Sequence, residues 1–249
     1  MSIAGVVVVH EPVPELERCL SALKPQLDEL VVVSNLGLEL PVPEGARLIA
    51  NDEPAGFAAN ANRGIAETSG EFVVVCNPDT EADPGALAVL QAFAEFHPRM
   101  GIAGPELRTA DGALNPSRRR FPTVSGTIVR RTPLRRWLGG TQQAHYGLDE
   151  QPTEPVQADW LLGAFLFLRR KMLHELGGFD EGYRLYGEDI DLAYRAAKAG
   201  WERWYVPAAK AVHAHQALTD RRLFTRRTLW HWRGIARFVR KHPERLKAL

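Results

Sequence analysis

The sequence predicts an α/β fold built on a doubly wound, mostly parallel sheet, and three observations predict it. Phe72-Val73-Val74-Val75-Cys76 is an uninterrupted apolar run, mostly β-branched, of the kind that forms a strand buried on both faces. Ile3 to Val9 is a second such run, and segments of helical period separate the apolar runs along the first third of the chain. The Phe72 run stops at Asn77-Pro78-Asp79-Thr80, where Pro78 lacks the N–H a ladder needs and Asn and Asp favour a turn. Ligands of open α/β sheets bind beyond the carboxyl ends of the strands, which is where Asp79 falls. Asp79 therefore either faces a ligand or merely caps the helix that follows.

Taken in order, Ile3 to Val9 ends at His10-Glu11-Pro12, and Pro14 to Leu23 reads as a helix with Leu16, Cys19, Leu20 and Leu23 on one face. Leu30 to Val33 is a third strand, ending at Ser34-Asn35, and Ala46 to Ala50 a short fourth, ending at Asn51-Asp52. Gly56-Phe57-Ala58-Ala59-Asn60-Ala61-Asn62-Arg63-Gly64 leads into a helix reaching about Ser69 and Gly70, and the Phe72 strand follows. Four strands alternating with helices make a Rossmann-like half. No Gly-x-Gly-x-x-Gly follows the first strand, so the dinucleotide fingerprint is absent.

Pro84 to Phe96 reads as a helix with Pro in its first turn and Leu87, Leu90 and Ala94 along one stripe. A short strand begins at Ile102-Ala103. Asn115 to Arg120 is polar and basic, and the stretch to about Pro155 has little periodicity, which reads as an excursion of long loops and short helices. Strand character returns from Val156 to Leu168, centred on Asp159 to Ala164. Lys171 to Leu176 is a short helix stopped by Gly177-Gly178, and Tyr186-Gly187-Glu188-Asp189-Ile190-Asp191 opens a helix that Gly200 ends. Trp204 to Val206 and Ala211 to His215 read as two separate strands. From Asp220 onward the chain is basic and helical, with Phe224, Trp232, Ile235 and Val239 at helical spacing and Trp230 and Phe238 beside them.

Composition sets outer bounds. The 249 residues are 45% hydrophobic and 24% charged, which excludes disorder, and a net charge of +1 gives no global attraction to nucleic acid. Cys19 and Cys76 fall in a predicted helix and a buried strand, as small apolar groups in a reducing compartment. No basic leader opens the chain, and no apolar run approaches the roughly 20 residues that span a bilayer. The expectation is a cytoplasmic protein. Its basic, aromatic tail either lies on the inner face of an anionic membrane or packs on its own domain or in a homodimer; nucleic acid is not expected as a partner.

Asp79, Glu188, Asp189 and Asp191 collect at element boundaries, and His213 sits at a strand end. Singly, each has a structural use: Glu188 and Asp189 favour a helix N-terminus, and Asp191 and Arg195 suit a surface ion pair at i, i+4. In their order along residues 3 to 215, however, they form a pattern. It comprises Gly56-Phe57 with Asn60, Asn62 and Gly64, Asn77-Pro78-Asp79, Trp160 with Gly163-Ala164, Gly177-Gly178-Phe179-Asp180, Tyr186 to Asp191, and Val212-His213. This pattern resembles the family 2 glycosyltransferases of the GT-A fold, especially their rhamnosyltransferase-like branch.

The resemblance implies an inverting transfer of a sugar, rhamnose or similar, from a nucleoside-diphosphate donor to a hydroxyl of a cell-envelope glycan or lipid-linked acceptor. It also implies a divalent cation, Mn²⁺ or Mg²⁺, to neutralise the departing diphosphate. Asp79 resembles the last acid of the family's metal triplet and His213 the ligand from the far half, with His215 in reserve; Asp189 resembles the general base. Donor contacts are expected from His10, Glu11, Ser34, Asn35, Gly56, Phe57, Asn60, Asn62, Asn77, Asp79 and Arg118, and acceptor contacts from Trp160, Gly163 and Glu188. Residues 1–217 would be the GT-A domain and 218–249 the helical tail. Three positions depart from the family pattern: His10-Glu11-Pro12 ends the first strand, Ser34 stands where an acid usually grips the base, and Asn77 opens the triplet in place of an acid. A non-catalytic nucleotide-sugar-binding protein and a sugar nucleotidyltransferase are the alternatives.

Overall fold

The valine runs explain the centre of the molecule. In β1 (Ile3–Val9), β2 (Glu29–Ser34) and β4 (Phe72–Cys76), alternate side chains point to opposite faces, and because nearly all are apolar both faces must be covered. On one face Val7, Val9, Val32, Val74 and Cys76 pack on Leu16, Leu20 and Leu23 of α1 (Leu16–Leu23) and on Leu87 and Leu90 of α3 (Ala86–Phe96). On the other, Val6, Val8, Val33, Val73 and Val75 pack on Phe57, Ala58 and Ala61 of α2 (Phe57–Ala66). Gly64 lets α2 lie close, since a Cβ there would come within 2.4 Å of Val6 Cγ1. This is a computed structural model, and it describes residues 1–121, 152–214 and 226–244, without the side chains of 226–229.

The remaining described elements are β3 (Arg47–Ala50), β5 (Thr80–Ala82), β6 (Met100–Arg108), β7 (Leu114–Asn115), β8 (Arg118–Arg119), β9 (Val156–Gln157), β10 (Trp160–Leu161), β11 (Phe165–Arg169), α4 (Arg170–Leu176), α5 (Glu188–Lys198), β12 (Glu202–His213) and α6 (Arg226–Lys241). The sheet order is β3-β2-β1-β4-β11-β6-β12-β5, and β8 and β10 form a separate antiparallel pair. Strands β3, β2, β1 and β4 are mutually parallel, as are β6 and β12; β11 runs antiparallel between β4 and β6. The α/β, mostly parallel expectation is met, with β11 inserted antiparallel and β5, β7 and β9 pairing antiparallel with β12 or β6.

Several boundaries differ from the sequence reading for local reasons. Helix α2 stops at Ala66 because Thr68 folds its hydroxyl back onto the Ile65 carbonyl at 2.8 Å. Helix α3 starts after Pro84, since Gly85 takes φ 81° and breaks the backbone there. The region from Val156 to Leu168 is three strands, divided by the turn at Leu162-Gly163 and ending in β11. What read as two strands near the C-terminal half is the single β12. Its ladder with β6 pairs Val206 with Pro105 and then shifts register between Val206 and Lys210, so Pro207 falls in the irregularity, where its missing N–H breaks no regular pair.

Helix α6 docks on its own domain. Arg237 Nη2 and Lys241 Nζ each reach Asp180 at 2.7 Å, and Lys241 Nζ and His242 Nε2 reach Asp191 at 2.9 Å. The buried stripe is Gly234, Phe238 and His242, whereas Trp232, 39% exposed, faces outward with Arg233 and Arg240. The packing face is therefore not the Trp232-Ile235-Val239 stripe that the spacing picks out. Asp191 and Arg195 do pair, at 2.6 Å, but Asp191 is fully buried, so this is no surface ion pair. His215, Phe224 and the expected domain boundary at 217/218 lie outside the described residues. Among the described residues no helix is long and apolar enough to cross a membrane.

Candidate active site

One corner of the site forms where β4 ends. The Asn77 carbonyl accepts hydrogen bonds from Thr80 N at 3.3 Å and Thr80 Oγ1 at 2.7 Å, turning the chain into β5. Strand β5 pairs antiparallel with the end of β12, Thr80 opposite His213, and Ala214 N donates to the Asp79 carbonyl at 2.9 Å. This ladder brings residues far apart in sequence together: His213 Nε2 lies 3.5 Å from Asp79 Oδ2, both side chains 11% exposed. A carboxylate and an imidazole facing one another at that distance fit one divalent cation, and the donor set suits Mn²⁺ at least as well as Mg²⁺. Among the described residues no group of three or more His, Cys, Asp or Glu forms a cation cage, so these two alone would leave most of the coordination to a ligand and water.

The second corner is the first turn of α5. Tyr186 at φ 68° is the one non-glycine residue with positive φ among the described residues, and Gly187 at φ 100° follows it as the helix cap. The paired left-handed residues open α5 so that Asp189 meets the β10–β11 turn. Asp189 Oδ2 accepts Gly163 N at 3.1 Å and its Oδ1 accepts Ile190 N at 2.8 Å. The approach at Gly163 is close: a Cβ there would stand 3.3 Å from Asp189 Oδ2 and push that side chain by a few tenths of an ångström. The neighbouring Ala164 carbonyl accepts Asn77 N at 2.9 Å, so one dipeptide joins the Asp189 corner to the Asp79 corner.

Burial pushes the Asp189 carboxyl up, opposed by the two backbone N–H groups and by the charge of Arg119. Glu188 is buried, its Oε2 has no hydrogen-bond partner, and burial together with the Asp189 charge pushes it up to about 8. Glu188 is then largely protonated at neutral pH, free to donate a hydrogen bond. Because its folded value lies above the unfolded one, the associated stability is full below the unfolded value near 4.5 and is lost as pH rises toward 8. Glu188→Gln should flatten the fall of melting temperature between about pH 5 and 8; a fall as steep as that of the parent would exclude Glu188 as its source.

Other residues expected at the site are also engaged within the protein. Asn62 uses its amide on Phe179 N and O, at 2.9 and 2.8 Å, and on Glu181 Oε1 at 2.9 Å, clasping α2 to the loop before α5. A Cβ on Gly56 would meet the Arg184 carbonyl at 2.9 Å, and Phe57 is buried edge-on to Phe179; both serve that same contact. The Ser34 hydroxyl accepts Leu38 N at 3.0 Å, closing a turn. Trp160 is 7% exposed, with its Nε1 donating to the Arg120 carbonyl and the Arg119 guanidinium 5.4 Å from its ring, so it is a wall rather than an open stacking face. Arg118 is half-buried in β8 opposite Leu161, and Glu11 is exposed beyond β1.

Asn35, at the end of β2, and Asn60, on α2, meet in a buried amide cluster. Asn35 Oδ1 accepts Asn60 Nδ2, Asn51 Nδ2 and Ala55 N at 2.8, 3.2 and 2.8 Å, and Asn35 Nδ2 meets His10 Nδ1 at 2.9 Å. Sequence reasoning missed Asn51, although its place at a strand end signalled it. The basic run Arg118-Arg119-Arg120 reads from the sequence as either a phosphate clamp or a solvated loop, and in the structure the charge of Arg119 acts on Asp189; Asn115, which touches His213 Nδ1 at 3.0 Å, was missed.

Residues 32–232 match the sequence profile described as "Glycosyltransferase like family 2". The N-acetylglucosaminyl-diphospho-decaprenol L-rhamnosyltransferase of Mycobacterium tuberculosis is 33% identical over 240 residues, covering 85% of this chain and 75% of that one. Rhamnosyltransferase WbbL of Escherichia coli is 33% identical over 122 residues, or 49% of this chain and 43% of the relative. In fold, GalNAc-T7, solved with UDP, GalNAc and Mn²⁺, superposes with a TM-score of 0.70 at 16% identity over 96% of this chain. The mannosyltransferase PcManGT of Pyrobaculum calidifontis, solved with GDP-Man and Mn²⁺, gives 0.56 at 18% identity over 87%. The chain spans only 47% and 58% of those two solved chains, so they speak to its fold alone.

Proposed function

The chain belongs to the glycosyltransferase-like family 2, and from that premise we propose that it moves rhamnose or a similar sugar from a nucleoside-diphosphate donor, with inversion, to a hydroxyl of a cell-envelope glycan or lipid-linked acceptor. The observation carrying this reading is the Gly163-Ala164 bridge, which sets Asp189 beside the turn that holds Asp79 against His213. Asp189 takes the proton of the acceptor hydroxyl as that oxygen attacks the anomeric carbon. Asp79 and His213 would hold a divalent cation, which when bound supplies neutralising charge for the departing diphosphate. Glu188, protonated, donates a hydrogen bond beside the base, and Arg119 moderates the negative charge of the pair. The cluster of His10, Asn35 and Asn51, at the ends of β1–β3, with Asn60 of α2 offers amides to the nucleoside where the family usually places an acid.

The names of the relatives support the sugar and the lipid-diphosphate acceptor; neither likeness favours a nucleotidyltransferase or a mere binding protein. The test is release of free nucleoside diphosphate from a panel including dTDP-rhamnose, UDP-sugars and GDP-mannose, given Mn²⁺ and polyprenyl-diphosphate-linked acceptors. Acceptor-dependent release from dTDP-rhamnose is expected. Donor binding without release from any member of the panel would leave only a binding function.

A further inference from the structure

His213 is held from two sides. Its Nε2 faces Asp79 Oδ2 at 3.5 Å, and its Nδ1 faces the Asn115 side-chain nitrogen at 3.0 Å. Three neighbouring strands fix the arrangement: Asn115 on β7 pairs with Leu107 of β6, and Arg108 of β6 pairs with Val212 of β12. A neutral imidazole carries one proton, so one ring nitrogen donates while the other offers a lone pair. With the Asn115 NH₂ donating to Nδ1, the ring proton sits on Nε2 and points at Asp79, and no lone pair is left on that side. A half-turn of the amide exchanges its nitrogen and oxygen in place. The Asn115 Oδ1 then accepts from Nδ1–H, and Nε2 turns its lone pair toward the space beside Asp79. The proton has moved from Nε2 to Nδ1 through solvent, and the net charge is unchanged.

We propose that Asn115 is the positioning residue that selects the tautomer of His213, and so sets how tightly the Asp79–His213 pair holds a divalent cation. The inference rests on the reading of those two residues as cation ligands. A side-chain amide is suited to the task because it supports both tautomers, so the pair is hydrogen-bonded without the cation and competent to ligate with it. Partners of this kind behind a ligating histidine change metal affinity by about 10–100-fold when removed.

The test is the Mn²⁺ affinity of the full chain in the presence of dTDP, read by the electron paramagnetic resonance signal of free Mn²⁺. Asn115→Ala should weaken Mn²⁺ by about 10–100-fold, and Asn115→Asp, whose carboxylate can only accept from Nδ1–H, should restore it to the parent value or better. His213→Ala separates the two levels of the argument. If it leaves Mn²⁺ affinity unchanged, the cation reading itself fails. If it weakens binding while Asn115→Ala does not, or if Asn115→Asp fails to rescue, Asn115 has no hold on the tautomer and the proposal is overturned.

Discussion

Replacing Asp189 by asparagine is expected to lower sugar transfer by about 10²–10⁴-fold while donor affinity stays within a factor of about two, the range a positioned general base contributes. The substitution preserves shape but cannot preserve the site fully. Asp189 accepts two backbone N–H groups, Gly163 on Oδ2 and Ile190 on Oδ1, and an asparagine has one oxygen for the two. A small loss of stability should therefore accompany the loss of activity. Charge provides an independent readout. The Asp189 carboxylate is one of the two influences holding Glu188 up at about 8, so in Asp189→Asn the Glu188 value should fall, leaving burial as the remaining cause. Turnover and donor binding by calorimetry, with a pH titration of stability, check all three outcomes. Near-parental turnover would remove Asp189 from the reaction.

The strands were legible because β1, β2 and β4 are covered on both faces, so their apolar runs carry no alternation to misread. Asp79 stood out as a candidate because Pro78 beside it marks the chain leaving β4, and Asp189 because it lies at the predicted opening of a helix within a pattern that resembles the family. Asn115 did not. Its importance comes from the β7–β6–β12 ladder, which places it against a residue 98 positions away, and nothing in Leu114-Asn115-Pro116 announces that. Asn62 and Asn60 lie two residues apart on α2, yet one clasps the loop at Phe179 and the other enters the amide cluster. Sequence spacing gives the helix face but not what stands opposite it. For the tail, packing on its own domain is one of the readings, but the spacing of Trp232, Ile235 and Val239 does not give the face, which meets the domain through ion pairs to Asp180 and Asp191 and a close approach at Gly234.

Asp191→Ala should undock α6 and disturb the turn of Glu188 and Asp189 along with it. Asp191 is fully buried and accepts Arg195 Nε at 2.6 Å, Lys241 Nζ at 2.9 Å and His242 Nε2 at 2.9 Å. Burial alone would raise its pKa, but the His242 bond and the Arg195 charge outweigh that and hold it below the usual carboxylate range. Removing one member of such a buried group leaves cations without their partner, at a cost of roughly 3–5 kcal/mol. For a chain of this size that is a fall in melting temperature on the order of 10 °C. The consequence reaches the candidate site because α6 touches the turn that carries Glu188 and Asp189. Gly234 lies so close to it that a Cβ would come within 2.6 Å of the Tyr186 carbonyl, and His231 packs edge-on against the Tyr186 ring at 5.6 Å. Tyr186 holds its left-handed backbone under that contact, and Glu188 and Asp189 follow directly from it. Activity measured well below the new melting temperature should therefore still be reduced, by a lower kcat more than a weaker donor. The pH dependence has a definite sign: a depressed folded value gives stability that is present above the ordinary Asp value and lost as pH falls through the folded one. Parent protein should thus lose stability at acid pH more steeply than Asp191→Ala. Equal acid slopes, or a melting temperature within about 2 °C of the parent, would mean that α6 is held by its apolar stripe and not by this carboxylate.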